Sequence, residues 1–215
     1  ENKSTGGAIF GSGSSPTLTN CLFVANDTTI YGSNHGGGAL HFRENSNPLI
    51  SNSTFHSNTS NYGQAIYAHA SSVTLNSCII WDDRVAHGNM FDVANGGSFA
   101  VTYSDVKGTG GNMNTDPLFV DASNGDFRLQ HVATGHTNDS PCIDTGDPNI
   151  TPFGSTRIDG LPDLGIIDMG FRSIDAPIDS DLDGLGDDAE ITLGTDPLDQ
   201  DTDDDGLSDG EEVYS

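Results

Sequence analysis

The sequence predicts an all-β chain: a short parallel β-helix with an irregular C-terminal cap, followed by a tail of cation-binding loops. Three observations predict it. Glycine-led segments recur with a period of 25 to 32 residues, the mark of a solenoid whose coils stack on their neighbours. Within each repeat, apolar runs of three to five residues alternate with Gly, Asn and Ser turns, and no amphipathic helical stretch separates them. Half of the 32 Asp and Glu residues lie from position 175 onward, where there is no Lys or Arg.

The coils align directly. Gly6-Gly-Ala-Ile-Phe10, Gly37-Gly-Ala-Leu-His41 and Gly63-Gln-Ala-Ile-Tyr67 open three of them. Thr17-Leu-Thr-Asn-Cys-Leu-Phe23, Leu49-Ile-Ser-Asn-Ser-Thr-Phe55 and Thr74-Leu-Asn-Ser-Cys-Ile-Ile80 continue them. Side chains at matching positions then form inward columns: Leu18/Ile50/Leu75, Cys21/Ser53/Cys78 and Phe23/Phe55/Ile80. Asn26, Asn58 and Asp83 follow the aromatic position, where Asn and Asp tolerate left-handed geometry. Cys21 and Cys78 are two coils apart, roughly 9.6 Å at about 4.8 Å per coil, too far for a bridge that needs Cα atoms within about 7 Å. Both are expected to be buried thiols, with Cys142 a third packing residue.

Val101-Thr-Tyr-Ser-Asp-Val106 is predicted as a degenerate fourth coil. The pieces that follow, Asp116-Pro-Leu-Phe-Val-Asp121, Gly125-Asp-Phe-Arg-Leu129 and Ser140-Pro-Cys-Ile-Asp-Thr-Gly-Asp147, lose the period. They are expected to cap the last open rung. The body therefore spans residues 1–172 and the acidic repeats 173–215.

The tail carries D-x-D-x-D-G-x-x-D-x-x-E twice without a mismatch, at 179–190 and 201–212. Oxygen ligands at loop positions 1, 3, 5, 9 and 12, with the carbonyl at 7, suit a cation that takes six to eight hard oxygens, and glycine at 6 permits the sharp turn. That pattern nominates Asp179, Asp181, Asp183, the Leu185 carbonyl, Asp187 and Glu190, then Asp201, Asp203, Asp205, the Leu207 carbonyl, Asp209 and Glu212. At least two Ca2+ ions are expected. Because such a segment repels itself, folding and metal binding should be one event.

Net charge is −25, which argues against nucleic acid or an anionic membrane as partner. No window approaches 18 apolar residues and no signal peptide opens the chain, so membrane insertion is not expected and the N-terminus suggests a processed or excised form. Loops of this kind suit the calcium levels of extracellular modules, which points to a secreted or surface location.

The coils together with Gly165-Ile-Ile-Asp-Met-Gly170 and the cap pieces resemble bacterial secreted right-handed parallel β-helix proteins of the pectate-lyase-like superfamily, specifically its anchored surface members, over about residues 6–171. The tail resembles bacterial thrombospondin type 3 repeats. The resemblance implies a calcium role for the loop residues named above, with Asp196, Asp199 and Asp204 able to bridge or complete a site, and a spacer or anchor function.

Enzymes on this fold act on polysaccharides. A lyase needs an Arg or Lys base beside a calcium-bound uronate, and the three coils offer only Arg43 and Arg84. A hydrolase needs paired carboxylates, for which Asp82 and Asp83 near His87 are the candidates, although the column match makes them turn residues. His35, His41, His56 and His69 lack metal-ligand spacing and are expected to be solvated or hydrogen-bonding. Sequons at Asn26, Asn52 and Asn58 allow glycosylation at surface turns. The leading expectation is a non-enzymatic, calcium-stabilised extracellular building block; the alternative is a polysaccharide-binding or polysaccharide-degrading module with a spacer. Residues 1–5 are too short for a cap, so an open first coil is expected to accept another chain by β-augmentation. Head-to-tail self-association into a fibre follows, with matrix components or polysaccharide as other partners.

Overall fold

The computed structural model describes residues 6–29, 36–81, 89–108, 111–157, 160–161, 163, 165–172, 181, 183–186, 190, 193–203 and 205–214. Residues 1–5, for which no cap was expected, lie outside them. Among the described residues, three parallel sheets of four strands, A, B and C, form the body, and in each the strands are hydrogen-bonded in chain order. Sheet A holds β1 (Ile9–Ser12), β4 (Leu40–Arg43), β7 (Ile66–His69) and β10 (Phe91–Ala94). Sheet B holds β2 (Thr17–Thr19), β5 (Leu49–Ser51), β8 (Ser72–Asn76) and β11 (Ser98–Thr102). Sheet C holds β3 (Leu22–Val24), β6 (Thr54–His56), β9 (Ile79–Trp81) and β12 (Asp105–Val106). Each coil contributes one strand to each face, so the chain is a four-coil solenoid.

Registers follow the sequence columns. Leu18 pairs with Ile50 and Ile50 with Leu75, while Phe23 pairs with Phe55 and Phe55 with Ile80. Ile50, Phe55, Leu75 and Ile80 are buried, and the Phe23 and Phe55 rings stack at 4.7 Å. Rungs this close leave no room at the repeat's second glycine: a Cβ on Gly38 would lie 2.1 Å from the Gln64 carbonyl oxygen. Phe55→Ala removes a ring from the middle of a column that cannot collapse along its axis, and is expected to cost about 3–5 kcal/mol. Denaturant unfolding checks it; a loss below about 1 kcal/mol would mean the column is not continuous.

In the Cys21/Ser53/Cys78 column, each serine hydroxyl accepts a backbone N–H of a neighbouring coil, Ser53 from Cys21 and Ser104 from Cys78, both at 3.0 Å. All three cysteines are free thiols. Burial pushes the Cys78 thiol up to about 12, and Cys142 is buried as well, but Cys21 is only half-buried.

Left-handed residues turn the corners, singly after sheets B and C and as the adjacent pair Glu44 and Asn45 after β4. Asn20, Asn52, Ser77 and Tyr103 form one such row, between sheets B and C, and Ala25 and Ser57 stand after sheet C. Asn26 and Asn58, expected to hold that geometry themselves, sit one position later and bond across coils instead. The Asn58 Oδ1 accepts the Asn26 backbone N–H at 3.1 Å and its Nδ2 at 2.8 Å, and the Asn58 Nδ2 donates to the Phe23 carbonyl at 2.9 Å. Backbone groups at a buried corner need partners, and Asn supplies both kinds. Asp83 lies outside the described residues. Burial of Asn52 and Asn58 also withdraws two of the three sequons from any glycan.

The fourth coil is fuller than the sequence suggested, because β10 was not recognised. Its opening glycine-alanine signature is replaced by Asn89-Met90, with the Met90 carbonyl accepting the Ala65 N–H at 2.9 Å. After β12 the cap takes a different course from the one expected. Among the described residues it extends the last rung on face C alone, where Met113 bridges Asp105 and its carbonyl accepts the Val106 N–H at 3.0 Å, and β10 and β11 stay paired on one side. An antiparallel pair, β13 (Phe119–Asp121) and β14 (Asp126–Leu129), leads into loops that pack on the outer side of sheet C. Leu129, Cys142 and Met169 bury Ile79 and Trp81 there, and His56 meets the rings of Phe119 and Phe127. The physical reason is composition: Ile79, Trp81 and His56 make the outer side of sheet C apolar and aromatic, whereas the outer side of sheet B carries mainly Thr, Ser and Asn and that of sheet A mixes its aromatic row with Arg43, His69 and Asp92.

The end of this layer crosses the coils in reverse order. Gly170 N–H donates to the Ser77 carbonyl at 2.8 Å, Phe171 N–H to Thr54 Oγ1 at 2.9 Å, and Arg172 N–H to Asn20 Oδ1 at 2.8 Å. Residues 170–172 thus strap the third coil to the second and the second to the first.

Candidate metal centre

Loop chemistry builds the tail from within. In the first loop, Asp183 Oδ1 accepts the Leu185 N–H at 2.7 Å, and Asp181 Oδ1 accepts the Asp183 N–H at 3.3 Å. In the second, Asp201 accepts the N–H groups of Asp205 and Gly206 at 3.1 and 2.8 Å, and Asp205 accepts that of Leu207 at 3.0 Å. The bonds from Asp181, Asp183 and Asp205 are Asx-type turns, in which a short carboxylate holds the backbone two residues on, while those from Asp201 reach four and five residues ahead. They curl each loop so that its carboxylates converge.

The result is two triads. Asp181, Asp183 and Glu190 bring one carboxylate oxygen each within 4.8 Å of the others, and so do Asp201, Asp203 and Asp205. Asp179 and Asp187 of the first loop, and Asp204, lie outside the described residues. Leu185 is buried and Leu207 exposed. Asp209 stands apart from the second triad: its carboxylate accepts the Thr202 N–H at 3.1 Å and hydroxyl at 2.6 Å. Glu212 is exposed, yet repulsion from Asp203 foremost, with Asp205, Asp209 and Asp201, raises its carboxyl above the usual range. It therefore sits in the field of the second loop. Asp196 holds the Leu198 N–H at 3.2 Å, and the Asp199 N–H turns back to the Asp196 carbonyl at 2.9 Å.

The donor set fits calcium. Three hard carboxylate oxygens from one short loop suit a cation that prefers oxygen, and neither triad contains a sulfur or nitrogen that would favour zinc. Two like charges about 4 Å apart repel by about 1 kcal/mol in water and about 4 kcal/mol at an effective dielectric near 20, so each triad gains from a divalent ion. When calcium is bound, it supplies the counter-charge the tail itself lacks.

A third acidic cluster was not found from the sequence, because Asp144, Asp163 and Asp168 share no spacing pattern. They also converge within 4.8 Å, beside a cavity of about 400 Å³ that His131, Ile143, Arg157, Leu161 and Gly184 help to line. Here the charges are held by the protein. Asp168 accepts the Asp144 N–H at 2.8 Å and the Thr156 hydroxyl, while Asp163 accepts the Asp168 N–H and an Arg172 Nη2 proton, both at 2.8 Å. Arg172 is fully buried, donates also to the Asp168 carbonyl, and lies 5.3 Å over the Phe153 ring. This is a structural network that fixes the strap.

Burial, then repulsion from Asp168, pushes the Asp163 carboxyl up to about 6. A carboxyl whose folded value is raised stabilises the fold below its unfolded value and loses that contribution as pH rises through about 6. In saturating calcium, melting temperature is therefore expected to fall between about pH 4 and pH 6, and Asp163→Asn is expected to flatten that segment. An unchanged slope in the variant would assign the effect elsewhere.

The catalytic candidates Asp82, Asp83, Arg84 and His87, and also His35, lie outside the described residues. Arg43 is engaged: it pairs with Glu44 at 3.2 Å and lies over the Phe10 ring at 5.2 Å. His41 and His56 are buried among aromatic rings and not solvated, because they occupy outward strand positions that neighbouring rings cover, while His56 takes the hydrogen-bonding role through Nδ1 and the Ser57 hydroxyl at 2.9 Å. His69 stays partly exposed beside Asn95. No helix among the described residues is long and apolar enough to cross a membrane.

A family model described as a right handed beta helix region matches residues 1–122, and one described as a bacterial TSP3 repeat matches residues 179–200 and 201–214. The second pair of matches covers both triads. No curated protein and no solved structure matches the chain.

Proposed function

Since this chain belongs to the right-handed β-helix family and ends in bacterial TSP3 repeats, which are of the calcium-binding type, we propose that it is a calcium-stabilised, non-enzymatic structural protein of the cell exterior. The single observation that carries this reading is the pair of carboxylate triads, each gathered by one TSP3 loop. The body works as a rigid block and the tail as a calcium-set connector. Head-to-tail self-association extends the reading. Among the described residues, β10 and β11 are paired on one side only, and their free edges offer N–H and C=O groups to a strand of another copy.

Sedimentation of the full chain at high protein concentration tests this, in millimolar calcium and in chelator. Large calcium-dependent species are expected; a monomer in both conditions would rule out self-association.

One observation favours a second reading, glycan binding. Phe10, His41 and Tyr67 form a row across the outer side of sheet A, with ring centroids 5.2 and 4.9 Å apart, and the exposed Tyr62 adjoins Tyr67 at 5.9 Å. Binding to a glycan panel that Tyr62→Ala weakens would favour it.

A further inference from the structure

The two TSP3 loops are not separate beads. Gly210, in the second repeat, donates its backbone N–H to Asp183 Oδ2 of the first triad at 2.6 Å. Gln200, where the first matched repeat ends, donates its side-chain amide to the Asp181 carbonyl. The repeats also touch main chain to main chain: a Cβ on Gly210 would lie 2.4 Å from the Asp183 carbonyl oxygen. Two of the three carboxylate residues of the first triad are therefore held by residues that follow the first loop.

The second loop in turn fixes those holders. Asp209 donates its N–H to the Gln200 carbonyl at 3.0 Å, and its carboxylate takes the N–H and hydroxyl of Thr202. Thr202 lies between Asp201 and Asp203, two members of the second triad. Ordering the second loop around an ion thus orders Thr202, Asp209 and Gly210 together. Gly210 then meets Asp183, whose other oxygen is already committed to the Leu185 N–H.

We propose that Gly210 and Gln200 are positioning residues for the first calcium site, supplied from beyond its own loop, so that the two sites load as a coupled pair. A site whose ligands are oriented in advance binds more tightly, because less ordering remains to be done on binding. Coupling of this kind is reciprocal: each site changes the other's affinity by the same factor. The proposal rests on the calcium reading of the tail and adds a constraint that reading does not contain.

Calorimetric calcium titration of the full chain tests it, with folding of each variant's body followed by circular dichroism. Asp203→Asn with Asp205→Asn disables the second loop without touching Asp181, Asp183 or Gly210. The surviving first site is expected to weaken about tenfold, or about 1.4 kcal/mol. Asp181→Asn with Glu190→Gln is expected to weaken the second site by the same factor. Gly210→Ala, with every carboxylate intact, is expected to separate the two binding steps and weaken the first site; Gln200→Ala is expected to do so to a smaller degree. If the first site keeps its affinity in the Asp203/Asp205 and Gly210 variants, the coupling is overturned while calcium binding stands. If the unmodified chain takes up no calcium, both the coupling and the calcium reading fall.

Discussion

In chelator, protease is expected to cut the chain throughout residues 173–215 and to leave the β-helix body whole, whereas in millimolar calcium the tail is expected to resist. The described residues of the tail supply little else to fold it. Leu185 is buried, but Leu193, Leu198, Leu207 and Val213 are exposed, so little apolar area leaves water when the tail orders. No Lys or Arg offsets its sixteen carboxylates. An ion present at a hundred times its dissociation constant contributes about 2.7 kcal/mol per site, enough for two sites to decide whether so small a segment is ordered. The body needs no such help, since its columns of Ile, Leu and Phe are closed off by neighbouring coils. Limited proteolysis with mass-spectrometric mapping reads the outcome. Identical cutting with and without calcium would show that the ions do not order the tail.

Arg172→Ala is expected to lose about 3–5 kcal/mol, the cost of leaving a buried carboxylate without its partner. Arg172 sits where two structures depend on it. Its guanidinium neutralises Asp163 beside Asp168, and its backbone exchanges two hydrogen bonds with the Asn20 side chain, at 2.8 and 3.1 Å. Removing the head leaves the acidic cluster repelling itself next to the strap. Replacing both partners, Arg172→Met with Asp163→Leu, is expected to recover most of the stability, because an apolar pair of similar volume often matches or exceeds a buried ion pair. Chemical denaturation of the single and double variants separates the cases. A double variant as unstable as Arg172→Ala would show that the loss comes from packing and not from charge.

Much of the body was legible because a solenoid repeats its own instructions. Phe23, Phe55 and Ile80 face the same environment in successive coils, so the same residue class recurs and the column can be seen in the sequence. The fourth coil hid where Met90 took the place of alanine and its edge position relaxed the pattern. The corners were misplaced by one residue, since Ala25 and Ser57 carry the left-handed turns while the more conspicuous Asn26 and Asn58 bond between coils. Tail ligands stood out because loop geometry ties each carboxylate to a fixed spacing. Asp144, Asp163, Asp168 and Arg172 did not, because a network assembled from loops up to 28 positions apart leaves no local periodicity. Nor could the sequence show Gly210 meeting Asp183, a contact between repeats and not within one.

The strap formed by residues 170–172 changes how this solenoid should come apart. In an ordinary repeat stack each coil touches only its neighbours, so the ends fray independently and folding can begin anywhere. Here the bond between Asn20 and Arg172 joins residues 152 positions apart, and the same short segment grips three coils. Such long-range closure comes late and slows folding, but once it is made the first coil cannot peel away while the third holds. The β-helix then unfolds in one step, and resistance to pulling or slow unfolding is set at the strap and not at the weakest coil.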